Sequence, residues 1–138
     1  MDERPQFGDE FLVGIDEIDA EHRRLFDIAA QVYDSLDASD AAAAAVTRQA
    51  VAELLDYTKT HFTHEEALME AAAYPELADH RELHNHLISQ AHDMEMRVEF
   101  GDNYVPVELS HFLYNWLVRH IEVSDKKFGA FVAAQRGQ

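Results

Sequence analysis

The strongest constraint on this chain is a spacing. In four long stretches, residues suited to a core recur every three or four positions, the period of a helix that buries one face. The first stripe is Ile18, His22, Leu25, Ala29, Val32 and Leu36. The second is Thr47, Ala50, Leu54, Thr58, His61, Glu65 and Leu68. Leu77, His80, His84, Leu87, Ala91 and Val98 make the third, and Leu109, Phe112, Trp116, His120 and Phe128 the fourth. No stretch alternates in the manner of a strand between hairpin turns. The three prolines and five glycines fall at segment edges, with Pro75 and Pro106 expected in first helical turns. Asp37-Ala38-Ser39-Asp40 is a polar connector with N-cap candidates. Links this short set successive helices antiparallel. The expected fold is therefore all-α, an antiparallel up-down-up-down four-helix bundle with an N-terminal arm. Residues 1–138 read as one domain, the arm over about 1–17 and the bundle over about 18–133.

Composition removes several functions. The formal charge of −16 repels nucleic acid and anionic membranes. The absence of cysteine excludes disulfides, thiolate metal sites and thiol catalysis. No run approaches the roughly 18–20 apolar residues that span a bilayer, and the first residues lack the features of a signal peptide. A cytoplasmic monomer is expected.

Nine histidines stand out: 22, 61, 64, 80, 84, 86, 92, 111 and 120. His61 and Glu65 are four apart, as are His80 and His84. Four steps of ~100° return to within ~40° of the starting direction, so each pair can present two ligands from one helix. His22 and His120 lie on the apolar stripes of their own segments, and Asp125 follows five residues after His120. One such pair is weak evidence. Burying five histidines and two carboxylates in one small core is stronger, because an unpartnered buried carboxylate costs several kcal/mol. A bound pair of divalent metals satisfies them together.

At this point the residues resemble a known family. His22, then His61-Phe62-Thr63-His64-Glu65-Glu66, then Tyr74-Pro75, then His80 and His84, then Trp116-Leu117-Val118-Arg119-His120-Ile121 closing on Asp125-Lys126-Lys127, resemble the hemerythrins. The resemblance runs from about Gly14 to Gly129 and is closest to the single-domain bacterial members. It implies two iron ions joined by an oxo or hydroxo bridge, with all seven ligand positions filled in order. His80, His84 and His120 would hold one iron, His22 and His61 the other, and Glu65 and Asp125 would bridge them. Three bridges and three histidines complete the first iron at six ligands. Two histidines leave the second at five, and an open position separates a reactive metal from a structural one. Dioxygen is the implied ligand there.

The resemblance also implies a lining for that position: Leu117, one turn before His120, with Leu25, Phe62, Trp116 and Ile121. Phe128 stands where many family members carry tyrosine, which removes that phenol's hydrogen bond. Of the rest, His64 is expected to point away from the metal and His86, His92 and His111 to lie on the surface. Glu66, five residues from His61, points off the shared face. The spacing of His120 and Asp125 is awkward, since five helical steps leave ~140° between them. Either the pair straddles a dimetal unit from a modestly distorted helix, or the helix widens into a π-type turn. With no glycine or proline between them, straddling is the favoured reading.

The function so implied is reversible dioxygen binding at a non-haem di-iron centre, for storage, delivery or scavenging, and not enzymatic turnover. Five histidines against two carboxylates separate this ligand set from the carboxylate-rich di-iron proteins. A sensor acting through a partner, or an enzyme acting on peroxide or nitric oxide, is the alternative. No output domain is legible in these residues, which favours the carrier.

Overall fold

The structure is a computed structural model that describes residues 4–101 and 105–136, with backbone alone at Leu117, Val118 and Glu122. All regular structure among the described residues is helical. A 3-10 turn at Asp9–Phe11 lies in the arm. Then come α1 (Asp16–Ser35), α2 (Asp40–Ala71), α3 (Leu77–Glu99) and α4 (Val105–Arg119). A six-residue π turn, His120–Asp125, follows α4 directly and leads into α5 (Lys126–Arg136). The backbone is helical at both junctions, so α4, the π turn and α5 form one rod, the fourth of the bundle. α1 packs on α2, α2 on α3, and the fourth rod closes the ring against α1 and α3. No helix among the described residues is long and apolar enough to cross a membrane.

Local chemistry sets the helix ends. Ser39 caps α2 by accepting from the Ala42 amide at 3.2 Å. α2 closes in a Schellman motif, with Ala73 N–H donating to Glu70 and Tyr74 N–H to Met69. Ala73 there takes φ 56°, a left-handed conformation that glycine adopts more readily. Pro106 lies in the first turn of α4, as expected. Pro75 does not lie in a first turn: α3 starts at Leu77, and Pro75 sits in the turn before it. The residue ahead of a proline is driven to extended backbone, so it ends α2's capping motif instead.

The stripes meet inside as the spacing requires. Ile18, Leu25, Ile28, Leu54, Met69, Leu87, Leu109, Leu113 and Ile121 are fully buried, each stabilising by about 1.5–3 kcal/mol. The arm is pinned to this bundle. The Asp19 carboxylate, on α1, accepts from the amides of Val13 at 2.8 Å and Gly14 at 3.3 Å. Phe7 and Phe11 pack against Phe26. On α5, Gly129 lets the arm pass so close that a Cβ there would lie 2.1 Å from the Val13 carbonyl oxygen.

Candidate metal centre

Four elements converge on one interior volume. His22 comes from α1, His61 and Glu65 from α2, His80 and His84 from α3, and His120 and Asp125 from the two ends of the π turn. All seven are buried. They form two groups in which one ligand atom from each residue lies within 4.8 Å of the others. One group is Glu65, His80, His84, His120 and Asp125; the other is His22, His61, Glu65 and Asp125. The carboxylates belong to both.

Their oxygens divide between the groups. Glu65 Oε1 is 2.8 Å from His80 Nε2 and 3.1 Å from His84 Nε2. Asp125 Oδ1 is 3.0 Å from His80 Nε2 and 3.2 Å from His120 Nε2. The second oxygens face the other way. Asp125 Oδ2 is 2.9 Å from His22 Nε2, and Glu65 Oε2 is 3.8 Å from His22 Nε2 and 3.9 Å from His61 Nε2. Two ligands at right angles, each about 2.1 Å from a metal, lie about 3 Å apart. In the three-histidine group His80, His84 and His120 each have that spacing to a carboxylate oxygen, while the two-histidine group is wider on its Glu65 side.

Hydrogen bonding shows why this cluster suits cations. His84 Nδ1 is 2.7 Å from Glu66 Oε2, and His61 Nδ1 is 2.6 Å from Glu21 Oε1. An ionised carboxylate only accepts, so each Nδ1 donates outward and each Nε2 is left facing inward. At His84 the Nε2 stands 3.1 Å from Glu65 Oε1 without a hydrogen bond to it. The atoms left without hydrogen bonds include Nε2 of His22, His84 and His120, Oε2 of Glu65 and both oxygens of Asp125. Such an array is stable only with protons or metal ions inside it. The donor set, all imidazole nitrogen and carboxylate oxygen, fits two divalent metals of the first transition row.

The electrostatics agree. Burial pushes the Asp125 carboxyl up, but the surrounding His120, His22 and His80 outweigh it and hold it well below the usual carboxylate range. At Glu65, burial and the Asp125 charge push up, and His80, His84 and His61 bring the carboxyl below its ordinary value. Burial works against protonation of His80, yet Asp125 and Glu65 raise its pKa to about 9. The two carboxylates are thus ionised and draw positive charge towards them.

The π turn corrects one expectation. No glycine or proline interrupts residues 120–125, yet the straddling arrangement on a near-regular helix does not form. The helix instead widens over His120–Asp125. Bonding from i to i+5 brings residues five apart onto one side, so both side chains reach the same cluster. Widening needs no helix breaker, only a strong reason to turn two ligands inward.

The lining candidates are distributed unevenly. Leu25, Phe62 and Ile121 are buried and Trp116 is partly so. The Phe62 ring stacks on His84 with centroids 3.7 Å apart and planes 2° apart. Trp116 stacks on His120 at 5.0 Å and 17°, and its edge meets Phe62 at 5.7 Å. These two rings therefore back the three-histidine group, although Phe62 also lies 5.6 Å from His61. The Leu117 side chain lies outside the described residues. Phe128 is buried against Tyr74, at 5.0 Å.

Two residues have functions that the spacing could not show. Glu21 lies next to His22 in sequence, yet its carboxylate holds His61 with one oxygen and His64 Nδ1, at 2.8 Å, with the other. Glu66 does point off the shared face, and there it holds His84, steadied in turn by Arg81. His86, His92 and His111 are exposed. A Glu-x-x-His spacing of the carboxylate-rich type occurs at Glu108 and His111. Both are on the surface, with Glu108 paired to Arg97.

A family model described as the hemerythrin HHE cation binding domain matches residues 13–132. That span contains every residue of the cluster. The chain belongs to the hemerythrin family. It is similar to the bacteriohemerythrin of Stenotrophomonas maltophilia, at 32% identity over 130 residues, 94% of this chain and 82% of that one. The bacteriohemerythrin of Pseudomonas aeruginosa is 33% identical over 117 residues, 85% of this chain and 74% of that one. A solved hemerythrin carrying a leucine-to-tyrosine substitution superposes with a TM-score of 0.77 at 25% identity, covering 90% of this chain and 92% of its own. The seven clustered residues, which could hold metal ions, all lie inside the matched span.

Proposed function

We propose that this hemerythrin binds dioxygen reversibly at a di-iron centre. His80, His84 and His120 would hold one iron, His22 and His61 the other, and Glu65 and Asp125 would bridge them. The observation that carries this reading is the division of the carboxylate oxygens, one of each towards the three-histidine group and one towards the two-histidine group. When bound, the irons supply two electrons that dioxygen takes up on arrival and gives back on leaving.

The remaining chemistry belongs to the chain's own residues. Neutral imidazoles outnumber carboxylates, which favours the ferrous state and lets dioxygen leave. His22 and His61, two histidines instead of three, would leave room beside them for a further ligand, and their Glu65 side is the wider one. Leu25 and Ile121, both fully buried, would help to keep the interior dry. Dryness disfavours escape of charged superoxide, which needs solvation. Glu21 and Glu66 fix the two imidazoles whose outer nitrogens they hold.

The reading is tested by loading the protein with ferrous iron without air, then measuring metal content and oxygen uptake. Two irons and one dioxygen per chain are expected. A single metal, or zinc alone retained, would exclude it. Continuous oxygen consumption with a reductant would identify an enzyme instead.

A further inference from the structure

One feature near the cluster is not used by dioxygen binding. A groove of about 650 Å³ runs between α3 and α4, within the size range of small-molecule sites. We propose that it binds a flat, redox-active aromatic anion of the kind a flavin nucleotide presents, and that electrons pass from this molecule through His120 to the metal centre. The electron-transfer half rests on the di-iron reading.

Three observations point to that occupant. The walls include Leu83, Phe112 and Val123, of which Leu83 and Val123 remain 47% and 67% exposed, an apolar surface without a cover among the described residues. The floor is aromatic: Trp116 and His120 both line the groove, with their rings stacked. A flat ring laid in the groove therefore touches a histidine of the three-histidine group. The third observation is charge. In a chain with 27 acidic residues, no described residue lining the groove is acidic. Arg119 lines it, is exposed, and joins no ion pair among the described residues, unlike Arg4, Arg24 and Arg81. The described lining is thus neutral to positive on a strongly negative molecule, suited to an anion.

The position also gives the site a purpose. It borders the group with its full complement of histidines, away from the wider position where dioxygen fits. A carrier that loses its ligand as hydrogen peroxide is left with both irons ferric, and two electrons must return. A flavin hydroquinone gives up two electrons and two protons and leaves as oxidised flavin. The electrons convert two ferric ions to two ferrous ions, and the protons go to solvent.

Flavin mononucleotide is the probe. Trp116 is the chain's only tryptophan, so its fluorescence in zinc-loaded protein reports occupancy without redox chemistry. We expect saturable quenching at one flavin per chain. Arg119→Glu and Leu83→Glu, both at exposed positions, should each weaken binding by about tenfold, the scale of replacing one half-exposed attraction by a repulsion. Reduction of ferric protein by limiting reduced flavin should slow by the same factor, with oxygen binding unchanged. Absence of quenching, binding indifferent to both substitutions, or binding that does not speed reduction would each overturn the proposal. Oxygen binding is measured separately, so a failure of the di-iron reading is distinguishable from a failure of the groove.

Discussion

At the scale of single residues, the cluster depends on partners that lie behind its ligands. Glu21 holds His61 and Glu66 holds His84. Glu21→Gln keeps an oxygen acceptor but loses the charge that orients and polarises the ring. Metal affinity should fall about 10–100-fold, the usual effect of removing such a support, measured by chelator competition. Unchanged affinity would mean that the packing of His61 alone positions it. That His61, Glu65, His80 and His84 cluster is legible in sequence, because spacings of four on an apolar stripe are a direct geometric statement. The role of Glu21 is not, because it depends on how α1 rotates against α2, which no single-helix period encodes. His64, too, meets the cluster only through Glu21, which links it to His61.

At the scale of elements, two backbone positions make opposite expectations. Ala73 closes α2 in a left-handed conformation at φ 56°. An L-residue there costs about 1–2 kcal/mol, and glycine's greater freedom when unfolded returns about 0.4–1 kcal/mol of that. Ala73→Gly should therefore stabilise, raising the melting temperature by about 2–4 °C; a fall would show that the turn relaxes around alanine. Gly129 is the reverse case. In an ordinary helix, alanine gains about 1 kcal/mol over glycine. Here the new Cβ meets the Val13 carbonyl oxygen at 2.1 Å, and backbone cannot swing aside as a side-chain tip would. Gly129→Ala should lower the melting temperature by several degrees and loosen the arm, seen as faster amide exchange at Val13 and Gly14. The four stripes and the short links made the bundle legible. The spacing of five between His120 and Asp125 offers the π turn as one of two solutions, and the choice between them is made by the demand that both share one cluster, a tertiary requirement.

At the scale of the whole molecule, protons and metals compete for the same interior. In the metal-free protein, His80 has its pKa raised to about 9 from an ordinary value near 6.5. A raised value stabilises fully below the unfolded pKa and is lost as pH rises through the folded one. The metal-free protein should thus lose stability between about pH 6.5 and 9, measured by urea unfolding. Metal-loaded protein should show no such loss in that window, because cations replace the protons, and metal binding should release protons. An equally flat profile without metal would contradict the electrostatic picture of the cluster. The most direct measurement of the central claim is an oxygen cycle. Ferrous protein is exposed to oxygen, its visible spectrum recorded, and the sample then flushed with argon. A coloured oxygenated form that returns to the colourless ferrous state over repeated cycles, without loss of iron, is the expected result. Irreversible oxidation on the first exposure, or no spectral change at all, would contradict reversible dioxygen binding at this site.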